Sequence, residues 1–253
     1  MKNFIVLLTA GVAVYLLSGV FLYLKQRSYM YFPVRYPPGD EAQLAVARDG
    51  QTIYATIVNP GKDRAIIYFG GNAEVVDYSA PLFARLFPEQ TVYLVKYRGY
   101  GHSTGAPTEN GIYGDALAVF DRLREGHSAS ALIGRSLGSA VAIYVASRRR
   151  VSQLALVSPF DSARRLAQRF YPLYPIRLLL KDTHDSLARA SAVTADTLVL
   201  AGELDAIVPR AHTDRLAAAL TSARVRYEIL PQLGHNGWSR RADYHRLLSE
   251  FLN

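Results

Sequence analysis

The sequence predicts an α/β protein: a mostly parallel, eight-stranded sheet with helices on both faces, preceded by one apolar helix long enough to cross a bilayer. Three observations carry this. Residues 4–24, FIVLLTAGVAVYLLSGVFLYL, hold no charged side chain. Beyond Ala65, short apolar or β-branched runs alternate with stretches of helical periodicity, the pattern of parallel strands joined by crossover helices. The 253 residues are 50% apolar and 20% charged, which suits one globular domain.

The N-terminal run comes first in the chain. At about 1.5 Å rise per residue it covers roughly the 30 Å hydrocarbon core of a membrane. A cleavable signal peptide has a shorter apolar region and ends at a small-x-small site, whereas this run ends in Phe21, Leu22, Tyr23 and Leu24. Residues 1–27 are therefore expected to be an uncleaved single-pass anchor, and residues 28–253 the folded domain. Lys25 and Arg27, with Tyr23, Tyr29, Tyr31, Phe32 and Tyr36, read as an interfacial belt. Lys2 and the amino terminus are set against Lys25, Arg27 and Arg35, a comparison that leans toward a cytoplasmic domain.

A proline-rich connector, Pro33 to Gly39, leads into the domain. Strands are expected at Gln43–Ala47, Thr52–Val58, Ala65–Phe69, Thr91–Val95, Ala131–Ile133, Leu154–Val157, Thr197–Leu200 and Arg226–Leu230. Helical patterns lie at Glu74–Leu86, Ile112–Arg124, Ser139–Ser147, Ala211–Leu220 and Arg241–Phe251. The first strands follow one another directly, so the sheet opens antiparallel; later strands alternate with helices and run parallel. Sites in such sheets gather past the carboxyl ends of strands.

Composition narrows the chemistry. With no cysteine, disulfides and thiolate zinc sites are impossible, and none of the six histidines forms an HxH or HxxxH pair. No metal and no cofactor are expected. The net charge of +8 attracts anionic partners, but no nucleic-acid recognition motif accompanies it, so nucleic-acid binding is not expected. No repeat or low-complexity tract interrupts the domain.

One motif stands at the place where such a sheet keeps its chemistry. Gly134-Arg135-Ser136-Leu137-Gly138 follows an apolar strand and opens a helix of small residues. A sharp strand-to-helix turn presents the serine hydroxyl above the sheet, and the flanking glycines admit backbone where a Cβ would collide. A serine hydroxyl is a poor nucleophile until a base takes its proton, and the base needs an orienting acid. His235 follows the last strand; His102, His127, His212 and His245 lie in less suitable places. For the acid, Asp205 leads, with Glu203 beside it and Asp161 past the preceding strand as alternatives. Leu137, after the serine, offers one backbone donor to an oxyanion, and the loop Gly70-Gly71-Asn72-Ala73-Glu74 is positioned to offer another.

These motifs, with YRGYGHSTGAPTENGIYGDA at 97–116, resemble the α/β-hydrolase superfamily, and within it a small membrane-anchored branch that includes protein depalmitoylases and bacterial hydrolases. The resemblance covers about residues 28–253. It implies Ser136 as nucleophile, Asp205 as acid, His235 as base, and the backbone N–H groups of Asn72 and Leu137 as oxyanion hole. The substrate implied is a carboxylic ester or thioester, held near the bilayer by residues 4–24. One departure stands out: the family's His-Gly-Asn is Gly70-Gly71-Asn72 here, which is expected to loosen the loop. Residues 162–195, rich in Phe170, Tyr171, Leu173, Tyr174, Ile176 and Leu178, occupy the position of a short lid suited to an acyl chain. A non-catalytic scaffold or a serine peptidase on the same fold are the competing readings.

Overall fold

The computed structural model describes residues Met1–Asn253. Its first element is a helix, α1, over Lys2–Met30. The strands are β1 (Gln43–Arg48), β2 (Gln51–Val58), β3 (Arg64–Phe69), β4 (Gln90–Val95), β5 (Ala129–Arg135), β6 (Gln153–Val157), β7 (Asp196–Gly202) and β8 (Val225–Leu230). They form one sheet in the order β1-β2-β4-β3-β5-β6-β7-β8. β1 pairs antiparallel with β2, and β2 with β4; every later pairing is parallel.

Each central strand feeds two cores, because successive side chains point to opposite faces. On β3, Ile67 and Phe69 join one core, while Ile66 and Tyr68 join the other. The first core is closed by helices α3 (Glu109–Leu123), α4 (Leu137–Ala146) and α7 (Arg210–Ala219), and the second by α2 (Ala80–Leu86) and α8 (Ala242–Leu252). Between β6 and β7 lie α5 (Ala163–Phe170), α6 (Ile176–Leu179) and a 3-10 turn at Leu187–Ala192, the segment read as a lid.

Two element boundaries differ from expectation for local reasons. The helix expected over Glu74–Leu86 is delayed: Val75 is extended, a 3-10 turn covers Val76–Ser79, and α2 begins only at Ala80 with Pro81 in its first turn. Proline lacks the N–H that an interior position must donate, so it sits where none is required, and Glu74 is used by the preceding loop. α3 starts earlier than expected, at Glu109, because the Thr108 side chain accepts from Gly111 N–H and caps it.

The first helix runs past residue 27, the boundary expected from the sequence. α1 continues unbroken to Met30, and the next residue, Tyr31, is buried against His184 and within the first core. The helix and the domain therefore share Arg27–Tyr31 rather than meeting across a linker.

Candidate active site

Ser136 occupies the turn between β5 and α4 with φ 50° and ψ −114°, a strained backbone for a non-glycine residue. Such strain costs on the order of 1–3 kcal/mol and persists where surrounding structure enforces it. Here Ser136 N–H donates to Val157 O at 2.8 Å, and its own carbonyl accepts from Ser139 N–H at 2.9 Å. The flanking glycines are sterically required: a Cβ on Gly138 would enter the Phe69 carbonyl, and one on Gly134 would strike the first turn of α4.

The loops after β7 and β8 bring the partners. His235 Nε2 lies 3.0 Å from Ser136 Oγ, and its Nδ1 lies 2.8 Å from Asp205 Oδ2. The other Asp205 oxygen accepts from the Ile207 and Val208 N–H groups at 3.0 and 2.7 Å. Burial alone would push the Asp205 carboxyl up, but the hydrogen bonds from His235 and Val208 outweigh it and hold the group below its ordinary value. Asp205 is thus an anion that fixes the ring with one nitrogen toward the serine.

The alternative acids go elsewhere. Asp161, fully buried, bonds His212 Nδ1 at 2.7 Å and Arg215 Nε at 2.7 Å, forming a separate ionic cluster beneath α5 and α7. Burial pushes this carboxyl up as well, and the bonds from His212 and Arg215 reverse the effect. Glu203 is exposed and accepts from Gln232 N–H at 2.9 Å. His102 packs on Tyr54, His127 bonds Tyr93, and His245 bonds Ser239 O.

Strand pairing explains why the loop Gly70–Glu74 reaches the serine: Phe69 at the end of β3 is in register with Gly134 of β5. Asn72 N–H has no acceptor within the protein, and Leu137 N–H, at the first position of α4, has none within its helix. Both residues line the same cavity as Ser136. The loop is held without a histidine at position 70. A Cβ there would lie 2.5 Å from Val76 Cγ1 and 3.3 Å from Glu74 Cδ, so the space is already filled. The Asn72 side chain accepts from Tyr100 Oη at 2.6 Å and Phe32 N–H at 3.0 Å, and donates to Met30 O at 2.7 Å.

Glu74 and Arg135 complete the frame, and sequence reasoning overlooked both. Glu74 accepts from Gly71 N–H at 2.6 Å, Tyr68 Oη at 2.6 Å and Arg135 Nη1 at 2.8 Å. Arg135 also donates to Asn236 Oδ1 at 2.7 Å, tying the Gly70–Glu74 loop to the loop carrying His235. The available signal was an arginine inside the elbow, where a charge next to an apolar strand demands a partner.

Above Ser136 and His235 opens a cavity of about 770 Å³, lined mostly by apolar side chains. Leu166, Phe170 and Ile176 of the lid form part of its wall, and Leu22, Tyr29 and Met30 of α1 form another. A nucleophile, a base, an orienting acid and two unpaired N–H groups at the floor of an apolar chamber can perform acyl transfer.

Known proteins share this architecture. The family model described as alpha/beta hydrolase fold matches residues 64–178. An uncharacterised protein of Mycobacterium tuberculosis, Rv2307c, is 35% identical over 237 residues, covering 87% of this chain and 84% of its own. YNL320W of Saccharomyces cerevisiae, described as a membrane protein, is 32% identical over 180 residues, covering 68% of this chain and 63% of its own. Among solved structures, the Pyrococcus furiosus esterase Pf2001 superposes with a TM-score of 0.71 over 87% of this chain and 97% of its own, at 16% identity. At that identity the likeness is one of fold.

Proposed function

The chain belongs to the α/β-hydrolase superfamily and has hydrolase chemistry in that sense; on that premise we propose that it is a membrane-anchored serine hydrolase cleaving carboxylic esters or thioesters through Ser136, His235 and Asp205. The observation that carries the reading is the unbroken chain of contacts from Ser136 Oγ through His235 to Asp205, at 3.0 and 2.8 Å, on a strained strand-to-helix turn.

In this reaction Ser136 Oγ attacks the substrate carbonyl while His235 Nε2 takes its proton. Negative charge moves to the carbonyl oxygen, where Asn72 and Leu137 N–H groups stabilise it. As the intermediate collapses, His235 passes the proton to the departing alcohol or thiol, leaving an ester on Ser136. Water, deprotonated by the same histidine, then releases the acid and restores the serine. Asp205 stays ionised and holds the imidazole in the tautomer this requires.

Anchoring is supported by the uncharged run at 4–24 and by the yeast relative described as a membrane protein. The basic residues after the run favour a cytoplasmic domain. A fluorophosphonate probe is expected to label the protein at Ser136 and to leave Ser136→Ala unlabelled. Labelling at another residue, or none in folded protein, contradicts the proposal.

A further inference from the structure

The lid rests on the membrane helix. Tyr15 stacks on Tyr174 with ring centroids 5.1 Å apart, and Tyr15 Oη donates to Leu173 O at 2.8 Å. Ser18 and Tyr174 share a hydroxyl–hydroxyl bond of 2.8 Å. Gly19 leaves room for that ring, since a Cβ there would already touch Tyr174 Cε1 at 3.4 Å. Nearer the domain, Gln26 meets Leu179 O at 3.2 Å and Lys181 N–H at 2.7 Å, and Arg27 pairs with Asp182 at 2.8 Å. Positions 15, 18, 19, 22 and 26 form one stripe of the helix, so this side of α1 is dedicated to the domain.

The stripe sets a depth. Lys181 stacks over Tyr23, and Lys25 and Arg27 follow the uncharged run, so this level marks the headgroups. Tyr15 lies about ten residues before Lys25, hence about 15 Å further along the helix, near the middle of the hydrocarbon. Whatever is bonded to Tyr15 is carried to that depth.

The lid tip has the apolar surface that such a position demands, and the carbonyls of its turn are satisfied within the protein. Leu173 is 79% exposed, Leu178 80% and Phe170 53%, all on one end of the molecule beside bare α1. The four carbonyls of its irregular turn at 171–174 are met by side chains: Gln168 Nε2 reaches Tyr171 O, Pro172 O and Tyr174 O at 3.3, 3.4 and 3.1 Å, and Tyr15 takes Leu173 O; beyond them, backbone N–H groups meet Pro175 O and Ile176 O, and Gln26 takes Leu179 O. In water these groups need no such partners. In hydrocarbon, non-helical backbone survives only when protein satisfies it. Arg169 precedes the tip and Arg177 lies within it, both on stems long enough to carry their charges back to the headgroups.

We infer that residues 171–178 of the lid, up to the headgroup level where Leu179 meets Gln26, are immersed with α1 in one leaflet, and that the cavity over Ser136 is entered from the hydrocarbon. Resting on the hydrolase and anchor readings above, this assigns the substrate: a membrane-resident molecule whose long acyl chain slides between lid and α1 to place its ester or thioester carbonyl at Ser136. Leu22 and Met30 make the membrane helix one wall of the acyl site rather than a tether.

The chain contains no cysteine, so single substitutions accept one fluorophore each. Full-length Leu173→Cys and Leu178→Cys, labelled with an environment-sensitive dye, are placed in phosphatidylcholine–phosphatidylserine vesicles holding lipids with nitroxide-bearing acyl chains. Val6→Cys serves as the membrane control and Glu125→Cys, at the opposite end of the sheet, as the water control. Quenching at 173 and 178 close to that at 6, with none at 125, is expected. Quenching at 6 alone overturns the inference while leaving the anchor intact, and no quenching at 6 overturns both. In a second arm, Leu173→Glu with Leu178→Glu is expected to lose tenfold or more on a long-chain thioester in vesicles while retaining turnover of a short soluble ester. An equal fall on both substrates contradicts the inference, and fluorophosphonate labelling of Ser136 in the same samples reports separately on the hydrolase reading.

Discussion

Asp205→Asn tests the site at its most discriminating point, because a second carboxylate, Asp161, also follows a sheet strand. The amide of asparagine can keep the bonds from Ile207 and Val208 N–H through its oxygen, so the loop should hold its shape. What faces His235 Nδ1, at 2.8 Å in the native protein, then becomes an N–H donor. The imidazole must answer with Nδ1 as acceptor, which leaves a proton on Nε2, and that nitrogen can no longer take one from Ser136 Oγ. A loss of about 10⁴ in kcat is expected, equivalent to about 5 kcal/mol of barrier, with little change in KM. Asp161→Asn has the opposite signature. It leaves Arg215 and His212 without their fully buried anion, and since Arg215 is 44% exposed and recovers water, the stability cost is expected at the lower end of the range for broken buried pairs, roughly 3 kcal/mol. Turnover by the folded fraction should stay near wild type. Both variants are assayed on a short p-nitrophenyl ester beside urea unfolding of the same preparations. If Asp161→Asn lost 100-fold or more (~3 kcal/mol) while Asp205→Asn kept near-normal turnover, the reasoning would be refuted.

Other expectations follow from individual contacts. Arg135→Gln removes the tie between the Gly70–Glu74 loop and the His235 loop and leaves the half-buried Glu74 without its cation; kcat should fall by roughly 10- to 100-fold, and adding Glu74→Gln should restore part of the lost stability, a coupling measurable by a double-mutant cycle. Full-length protein should remain with membranes through high salt and carbonate; release by carbonate, or processing near residue 25, would contradict the anchor. A protein beginning at Ser28 keeps Met30 and Phe32 on Asn72 but loses Gln26 and Arg27 from the lid, so Ser136 labelling should persist while long-chain turnover drops far more than short-ester turnover. His184 is fully buried between Tyr31 and Tyr113, and burial lowers its pKa to about 4. Between that value and its ordinary 6.5 the unfolded chain binds the extra proton, so stability is present above pH 6.5 and is lost as pH falls toward 4, by at most about 3 kcal/mol; urea unfolding across this range should show a slope that His184→Gln flattens.

Much of this protein is written locally. The run at 4–24 announces itself by composition, and the strands and helices by their periods of two and 3.6. The elbow is legible because its steric demand falls on five consecutive residues: only glycine fits at 134 and 138 once the backbone turns at Ser136. Local pattern ranked Asp205 ahead of Asp161 but left both open, since both follow strands; the folded sheet brings Asp205 to His235 and Asp161 to His212. Nor could it see that Glu74, expected to lie in a helix, serves Gly71 and Arg135 instead, or that the loop lacking its usual histidine is held by the end of α1 through Asn72. The pairing of Tyr15 with Leu173 joins residues 158 positions apart, and that of Ser136 with His235 residues 99 apart. Such contacts leave no period in the sequence, because each half is an ordinary side chain whose meaning depends on which other surface the folded chain lays against it.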